Sequence, residues 1–189
     1  MNMNFRMFFI SLALVYSSSA YGQQAALSED ASNDVEVVSP SDFLQELEGD
    51  FKGSGEAIVG IARQTEKVNC KVSNVFDVNV SALSIKGRCA TTQGKTSVEG
   101  QLQVKDGKVI GSFLSPNPNT EITKSSSQIV GDKLIISTSM VDKNTGNLSR
   151  MRQIVTTEEE GGFKSVFMRF DNAKGSYEET GSVDFAPSR

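Results

Sequence analysis

The chain has 189 residues, among them two cysteines and no histidine, and its 19 basic and 23 acidic residues give a formal net charge of −4. Without histidine, Ser-His-Asp and Cys-His catalysis and histidine-ligated metal sites are excluded. The mildly acidic balance argues against nucleic acid as a partner, because nucleic-acid-binding proteins carry basic patches.

Residues 1–22 have the organisation of a secretory signal peptide. Arg6 precedes an apolar run from Met7 to Tyr16, and small residues follow as far as Gly22. The run is shorter than the roughly 20 residues that a membrane-spanning helix needs, although a retained anchor is the alternative. We therefore expect an exported protein, periplasmic or extracellular, with no integral membrane segment after cleavage.

Residues 23–40 hold four acidic residues, no basic residue and no aromatic residue. Such a segment buries too little apolar surface to offset its ordering entropy. The sequence therefore predicts a disordered acidic leader here, followed by a single domain over residues 41–189.

The domain begins with a short helical signal. Ser39 or Ser41 can cap the helix and Pro40 suits its first turn, while the apolar residues of 43–47 share one face. We expect a helix that ends at Gly49.

Both cysteines lie in stretches where apolar and polar residues alternate, residues 67–72 and 83–89. This period of two predicts strands with Cys70 and Cys89 on their apolar faces. In an exported chain the pair predicts a disulfide that staples a hairpin around Asn79 and Val80. Free thiols and a metal site are the alternatives, and there is no Cys-x-x-Cys redox motif.

A second hairpin is predicted by Asp106-Gly107, a dipeptide typical of a two-residue type I′ turn. Such a turn places Val104 opposite Val109, and Gly100 opposite Phe113, whose ring is then expected to cover the glycine.

Further turn signals recur about every 11–15 residues as far as Lys174-Gly175, with β-rich runs between them. This spacing predicts an all-β fold, an antiparallel up-and-down meander of eight to ten strands that closes as a barrel. A two-sheet sandwich is the main alternative.

The remaining candidates for chemistry are carboxylates. Glu158, Glu159 and Glu160 form a run before Gly161, but neighbouring strand residues point to opposite faces, so the run is interpreted as a solvated hairpin tip. A glycosidase-like carboxylate pair stays possible because separation in space is not visible in a sequence. We predict no catalytic residue, no metal and no cofactor.

The stretch FKSVFMRF, residues 163–170, is apolar on both faces of a strand. Phe and Met are adaptable linings for an apolar cavity or a partner surface, and ordinary core is the alternative. The candidate binding surface or cavity consists of Phe163, Phe167, Met140, Met151 and Met168.

Residues 47–89, with LEGDFKGSGEA at their start and NCK and GRC around the cysteines, resemble the opening of calycin-type barrels. In those proteins a short helix leads into a Gly-x-Trp strand, and Phe51 stands here in place of the Trp. The relatives include lipocalins, which bind small apolar ligands, and bacterial metalloprotease inhibitors. The resemblance implies a binding barrel and transfers no functional residue.

The sequence therefore favours an exported, non-enzymatic binding protein that acts on a protein partner as an inhibitor or interaction factor. The alternative is a lipocalin-like carrier of a small apolar ligand with its cavity in the barrel mouth. A carboxylate-based hydrolase is a third, disfavoured hypothesis.

Overall fold

The structure is a computed structural model that describes residues 38–59, 63–113 and 119–188. The predicted signal peptide and nearly all of the predicted leader lie outside these residues. Within them the chain forms one helix and ten strands: α1 (Pro40–Glu46), β1 (Gly49–Val59), β2 (Gln64–Asp77), β3 (Ala82–Thr91), β4 (Gly94–Lys105), β5 (Lys108–Ser112), β6 (Thr120–Val130), β7 (Lys133–Asp142), β8 (Leu148–Thr157), β9 (Phe163–Asp171) and β10 (Ser176–Pro187).

The ten strands of the described chain form a single antiparallel sheet that curls into a nearly closed barrel. Strands that follow each other in sequence pair in space, except that β1 pairs with β10 and that β5 and β6 are the two edges. The edges meet through side chains, since the hydroxyl groups of Ser125 and Ser127 donate to the carbonyl groups of Gly111 and Val109. The predicted barrel class is confirmed.

One end of the barrel is closed by α1. Ser39 caps the helix by accepting from the Asp42 backbone N–H at 3.1 Å, and Pro40 occupies the first turn. The helix ends at Glu46, three residues before the predicted Gly49, because Leu47 already forms the C-cap. The apolar residues of the helical segment are buried: Phe43, Leu44 and Leu47.

The stapled hairpin is confirmed. Cys70 lies directly opposite Cys89 in the β2–β3 pairing, and a disulfide joins them. Strand pairing continues to Asp77 and Ala82, so the connecting turn contains Asn79, as the spacing predicts. A cross-link that spans 19 residues stabilises the fold by about 3 kcal/mol in the chain-entropy model.

The Asp106-Gly107 turn also forms as predicted. Both residues have positive φ, 51° and 70°, as a type I′ turn requires, and Val104 pairs with Val109. The backbone of Phe113 approaches Gly100 closely, because its carbonyl oxygen lies 2.1 Å from where a Cβ on Gly100 would be.

The core near α1 is built around Phe163, which is completely buried. Its ring stacks on Phe185 with centroids 4.5 Å apart, and it meets Phe51 and Phe113 edge to face at 4.9 and 5.5 Å. These aromatic contacts fill the barrel interior around Phe163. A cavity of about 470 Å³ remains beside α1 at the β4–β5 and β6–β7 turns, and Val38, Val109 and Ile129 form part of its lining.

Candidate functional site

The inward face of β9 changes character from the closed end of the barrel to the open end. Phe163 and Ser165 are fully buried, Phe167 is half-buried, and Arg169 is exposed. Ser165 accepts a hydrogen bond at 2.8 Å from Gln153, which faces inward on β8. The barrel interior is therefore apolar near α1 and polar toward the open end.

A cavity of about 600 Å³ lies at the open end. Met151 and Arg169, which are paired across β8 and β9, form part of its wall, and Thr180 at the β-bulge of β10 forms another part. Arg63, just before β2, also lines the cavity, as do Asp142 at the end of β7 and Leu148 at the start of β8. Arg169 also borders two smaller neighbouring cavities of about 270 and 260 Å³.

Two acidic side chains of the open end are occupied by the turns that they begin. Asp142 accepts from the backbone N–H groups of Thr145 and Asn144 at 2.8 and 2.9 Å, and these bonds lower its pKa. Asp171 accepts from the backbone N–H groups of Ala173 and Lys174, which lower its pKa in the same way.

The third acid, Glu178, forms an ion pair with Lys174, and this contact raises the pKa of the lysine. These three carboxylates thus have hydrogen-bond or ion-pair partners in or beside their own turns. Glu178 is also the cross-strand neighbour of Arg169 on β10, and the charge of Arg63 contributes to the lowered pKa of Asp171.

Arg169 has no hydrogen-bond or ion-pair partner in the part of the chain that the structure describes. A second guanidinium, that of Arg63, lines the same cavity. Because the Arg169 guanidinium has no hydrogen-bond or ion-pair partner among the described residues, the open end is suited to an anion.

The outer face of β8, β9 and β10 carries a second arrangement, which we call the arginine–aromatic stack. The Arg150 guanidinium lies 3.5 Å from the centre of the Phe170 ring, and that of Arg152 lies 4.1 Å from the Tyr177 ring centre. The two rings meet edge to face at 5.2 Å, so cations and rings alternate across three strands. Arg150 also donates to the Asn172 side chain at 3.0 Å.

The structure does not bring together the five residues predicted to form a binding surface or cavity. Met151 lines the cavity at the open end. Phe163 belongs to the buried core, Met140 is only 9% exposed, and Phe167 packs against the core. Met168 points to the outer face, where it is paired with Arg152.

Sequence reasoning did not select the arginines. Arg169 shares the face of Phe163 and Phe167 by simple alternation, and a cation on an inward face is the signal that could have identified it. The stack had no comparable signal, because its members come from three strands whose register only the folded sheet defines.

The acidic run 158–160 is exposed in the β8–β9 connection and does not converge on a point. Within the described ranges, no cluster of three His, Cys, Asp or Glu side chains is placed to hold a metal ion. The same ranges contain no helix that is long and apolar enough to cross a membrane.

Fold and site together define a disulfide-bonded antiparallel β-barrel, closed at one end by a helix and carrying an arginine-lined cavity at the other. No protein-family model matches the chain. No curated protein matches it either. Among solved structures, it is similar to the crystal structure of Rv2717c from M. tuberculosis with a TM-score of 0.55 and 12% identity, over 80% of this chain and 99% of that chain. At that identity the similarity shows the fold alone.

Proposed function

We propose that the chain is a non-enzymatic binding protein that works outside the cytoplasm and holds a small organic anion in the open end of its barrel. One observation carries the proposal: the Arg169 guanidinium lines the cavity and has no partner among the described residues. A volume of about 600 Å³ lies within the range of small-molecule sites.

The lining defines the ligand chemistry more closely. The guanidinium of Arg169 can bind a carboxylate through two parallel hydrogen bonds. Met151 and Leu148 offer apolar contact beside it. An amphipathic acid therefore suits the cavity better than the purely apolar ligand of the alternative hypothesis from the sequence.

A binding role and a location outside the cytoplasm have separate support. Asp142 and Asp171 have lowered pKa values and are held by their turns, which makes them poor general acids or bases. The Cys70–Cys89 disulfide is typical of proteins that fold in an oxidising compartment. Export by the predicted signal peptide is part of the proposal.

The test is calorimetric titration of the mature protein with decanoate, and with decanol as the uncharged probe. We expect decanoate to bind and decanol to bind at least about tenfold more weakly, because the alcohol cannot form the charged hydrogen bonds. Arg169→Gln should weaken decanoate binding by a similar factor. Arg88→Gln, an equivalent change at an exposed position of β3, is the matched control.

Equal affinity for the acid and the alcohol, or unchanged decanoate binding by Arg169→Gln, would contradict the proposal. Native mass spectrometry of protein purified gently from its own compartment supplies an independent readout. A small acidic compound that leaves on denaturation is the expected result, and a retained apolar neutral compound would favour the purely apolar carrier instead.

A protein partner, engaged as an inhibitor or interaction factor, is the second candidate function. The arginine–aromatic stack favours it, because Arg, Tyr and Phe are enriched at the centres of protein interfaces. The stack lies on the outer face of the barrel, so a partner there is compatible with a ligand in the cavity.

A further inference from the structure

The two arginines of the arginine–aromatic stack belong to a group of cations that crosses the outer face of the barrel. Lys124 on β6 and Arg150 on β8 are both opposite Ser139 on β7, so the three residues form one line across the sheet. Two residues further along, Ser137 on β7 and Arg152 on β8 are paired in the same way. We call these five residues the cationic face.

No carboxylate is directly opposite a cation of the cationic face, and the acid in line with Arg152, Glu179 on β10, lies beyond Met168. The cross-strand neighbours of Arg150 and Arg152 on β7 are serines, and the neighbour of Arg152 on β9 is Met168. The ion pairs of the described chain, which join Lys164 to Asp184 and Lys174 to Glu178, lie elsewhere. The protein has a formal net charge of −4, whereas this face is positively charged.

Arg152 carries a more specific signal. Its Nε atom is buried and has no hydrogen-bond partner among the residues that the structure describes. The rest of its guanidinium is held over the Tyr177 ring, which fixes the orientation of the charge. A guanidinium carries five N–H donors, so the donors other than the buried Nε–H can bind a carboxylate that a partner brings.

The surface is also uneven. The outward side chains of β7 at this level are small, Ser137 and Ser139, whereas those of β8 are the long Arg150 and Arg152. The serines thus form a shallow step beside the arginines. An extended segment laid along the step can reach both guanidinium groups.

Resting on the second candidate function, we propose that the cationic face binds an acidic segment of a protein partner in extended conformation. Arg150 and Arg152 are two residues apart on one face of a strand, which separates them by about 6.6–6.8 Å. Carboxylates at alternate positions of an extended chain have the same spacing. The positive charge of the face and the spacing of its two arginines therefore both favour an acidic segment in extended conformation.

The experiment uses fluorescence anisotropy with the mature protein and a labelled synthetic peptide in which Glu alternates with Val. A peptide with Gln in place of each Glu is the uncharged probe. We expect the Glu peptide to bind, the Gln peptide to bind at least about tenfold more weakly, and added salt to weaken the Glu complex.

The variant Arg150→Gln/Arg152→Gln should lose at least about tenfold in affinity for the Glu peptide. Lys67→Gln/Lys71→Gln, which removes two exposed charges from β2, is the control with the same net charge and should bind as the wild type does. Thermal unfolding of both variants establishes that they are folded.

Equal losses in the two double variants would overturn the proposal, since they would reflect the net charge alone. No detectable binding of the Glu peptide at about 1 mM would also overturn it. So would tighter binding of a single-stranded oligonucleotide or of phosphatidylserine vesicles. Arg169→Gln should leave peptide binding intact, so failure of the cavity proposal and failure of this one are distinguishable.

Discussion

Met151 and Arg169 lie directly opposite each other on β8 and β9, and both line the cavity at the open end of the barrel. The pair places an apolar thioether beside a guanidinium without a described partner. An amphipathic acid would contact both groups at once, with its carboxylate on Arg169 and its apolar body on Met151.

Met151→Trp should block the cavity without unfolding the protein. The larger indole would occupy the space next to Arg169, and Met151 is only half-buried, so the strain on the core is small. We expect decanoate affinity to fall at least about tenfold with little change in thermal stability. Titration calorimetry and thermal unfolding measure the two effects.

Met168→Trp is the matched control for this substitution, because Met168 lies on the opposite face of β9. It should leave decanoate binding unchanged. Equal weakening by both substitutions would show that the ligand does not enter at Met151.

Phe163 should be a structural residue, despite its selection as a candidate binding residue from the sequence. Phe163→Ala removes a fully buried ring that contacts three other phenylalanines, and should lower the free energy of unfolding by about 3–5 kcal/mol. Urea unfolding monitored by circular dichroism gives this value. Phe170→Ala, on the outer face, should cost clearly less, and a similar cost for both would contradict the assignment of Phe163 to the core.

Gly55 should be irreplaceable because of a close approach between β1 and β10. A Cβ atom at this position would lie 1.9 Å from the carbonyl oxygen of Ser182, which is backbone and cannot rotate away. Gly55→Ala should therefore force the strands apart and destabilise the protein by about 2–3 kcal/mol. Ser54→Ala, at the exposed neighbouring position, should change the unfolding free energy little, and equal effects would argue against the close approach.

Asp142 should make a pH-dependent contribution to stability. Its pKa in the folded state is lowered from an ordinary value of 3.8 by backbone hydrogen bonds, so its stabilising effect is present above that value and is lost as the pH falls through the folded pKa. Asp142→Asn should have a lower melting temperature than the wild type at neutral pH. The difference should shrink progressively as the pH falls below 3.8 and the wild-type carboxyl becomes protonated.

Glu159→Gln, a change in the exposed β8–β9 connection, serves as the control for removal of one negative charge. If the Asp142→Asn difference persisted unchanged in acid, the lowered pKa would not be its cause.

The local signals in the sequence were sufficient for the hairpins. Alternation placed Cys70 and Cys89 on the apolar faces of adjacent strands, and the folded sheet pairs them directly. Asp106 and Gly107 determined their own turn, because positive φ at both positions is a local preference. Repeated turns with short strands between them then predicted the barrel, since closing the sheet leaves no unpaired edge strand on a long meander.

The tertiary structure decided which face of β9 points inward and which end of the barrel stays open. The run of residues 163–170 is apolar on both faces, so alternation defines two faces without saying which of them is buried. Pairing of β9 with β8 and β10 turns Phe163 and Arg169 inward and Met168 outward.

The arginine–aromatic stack and the position of Arg169 at the cavity also depend on register across strands that are distant in sequence. The open end contains both acidic and basic residues. Only the fold shows that Asp142 and Asp171 accept hydrogen bonds from their own turns. Hydrogen bonds within a turn are made locally, whereas the partner of an inward-facing guanidinium depends on which strands surround it. For that physical reason, the sequence by itself determined the barrel and its hairpins, and the tertiary structure decided where a ligand can bind.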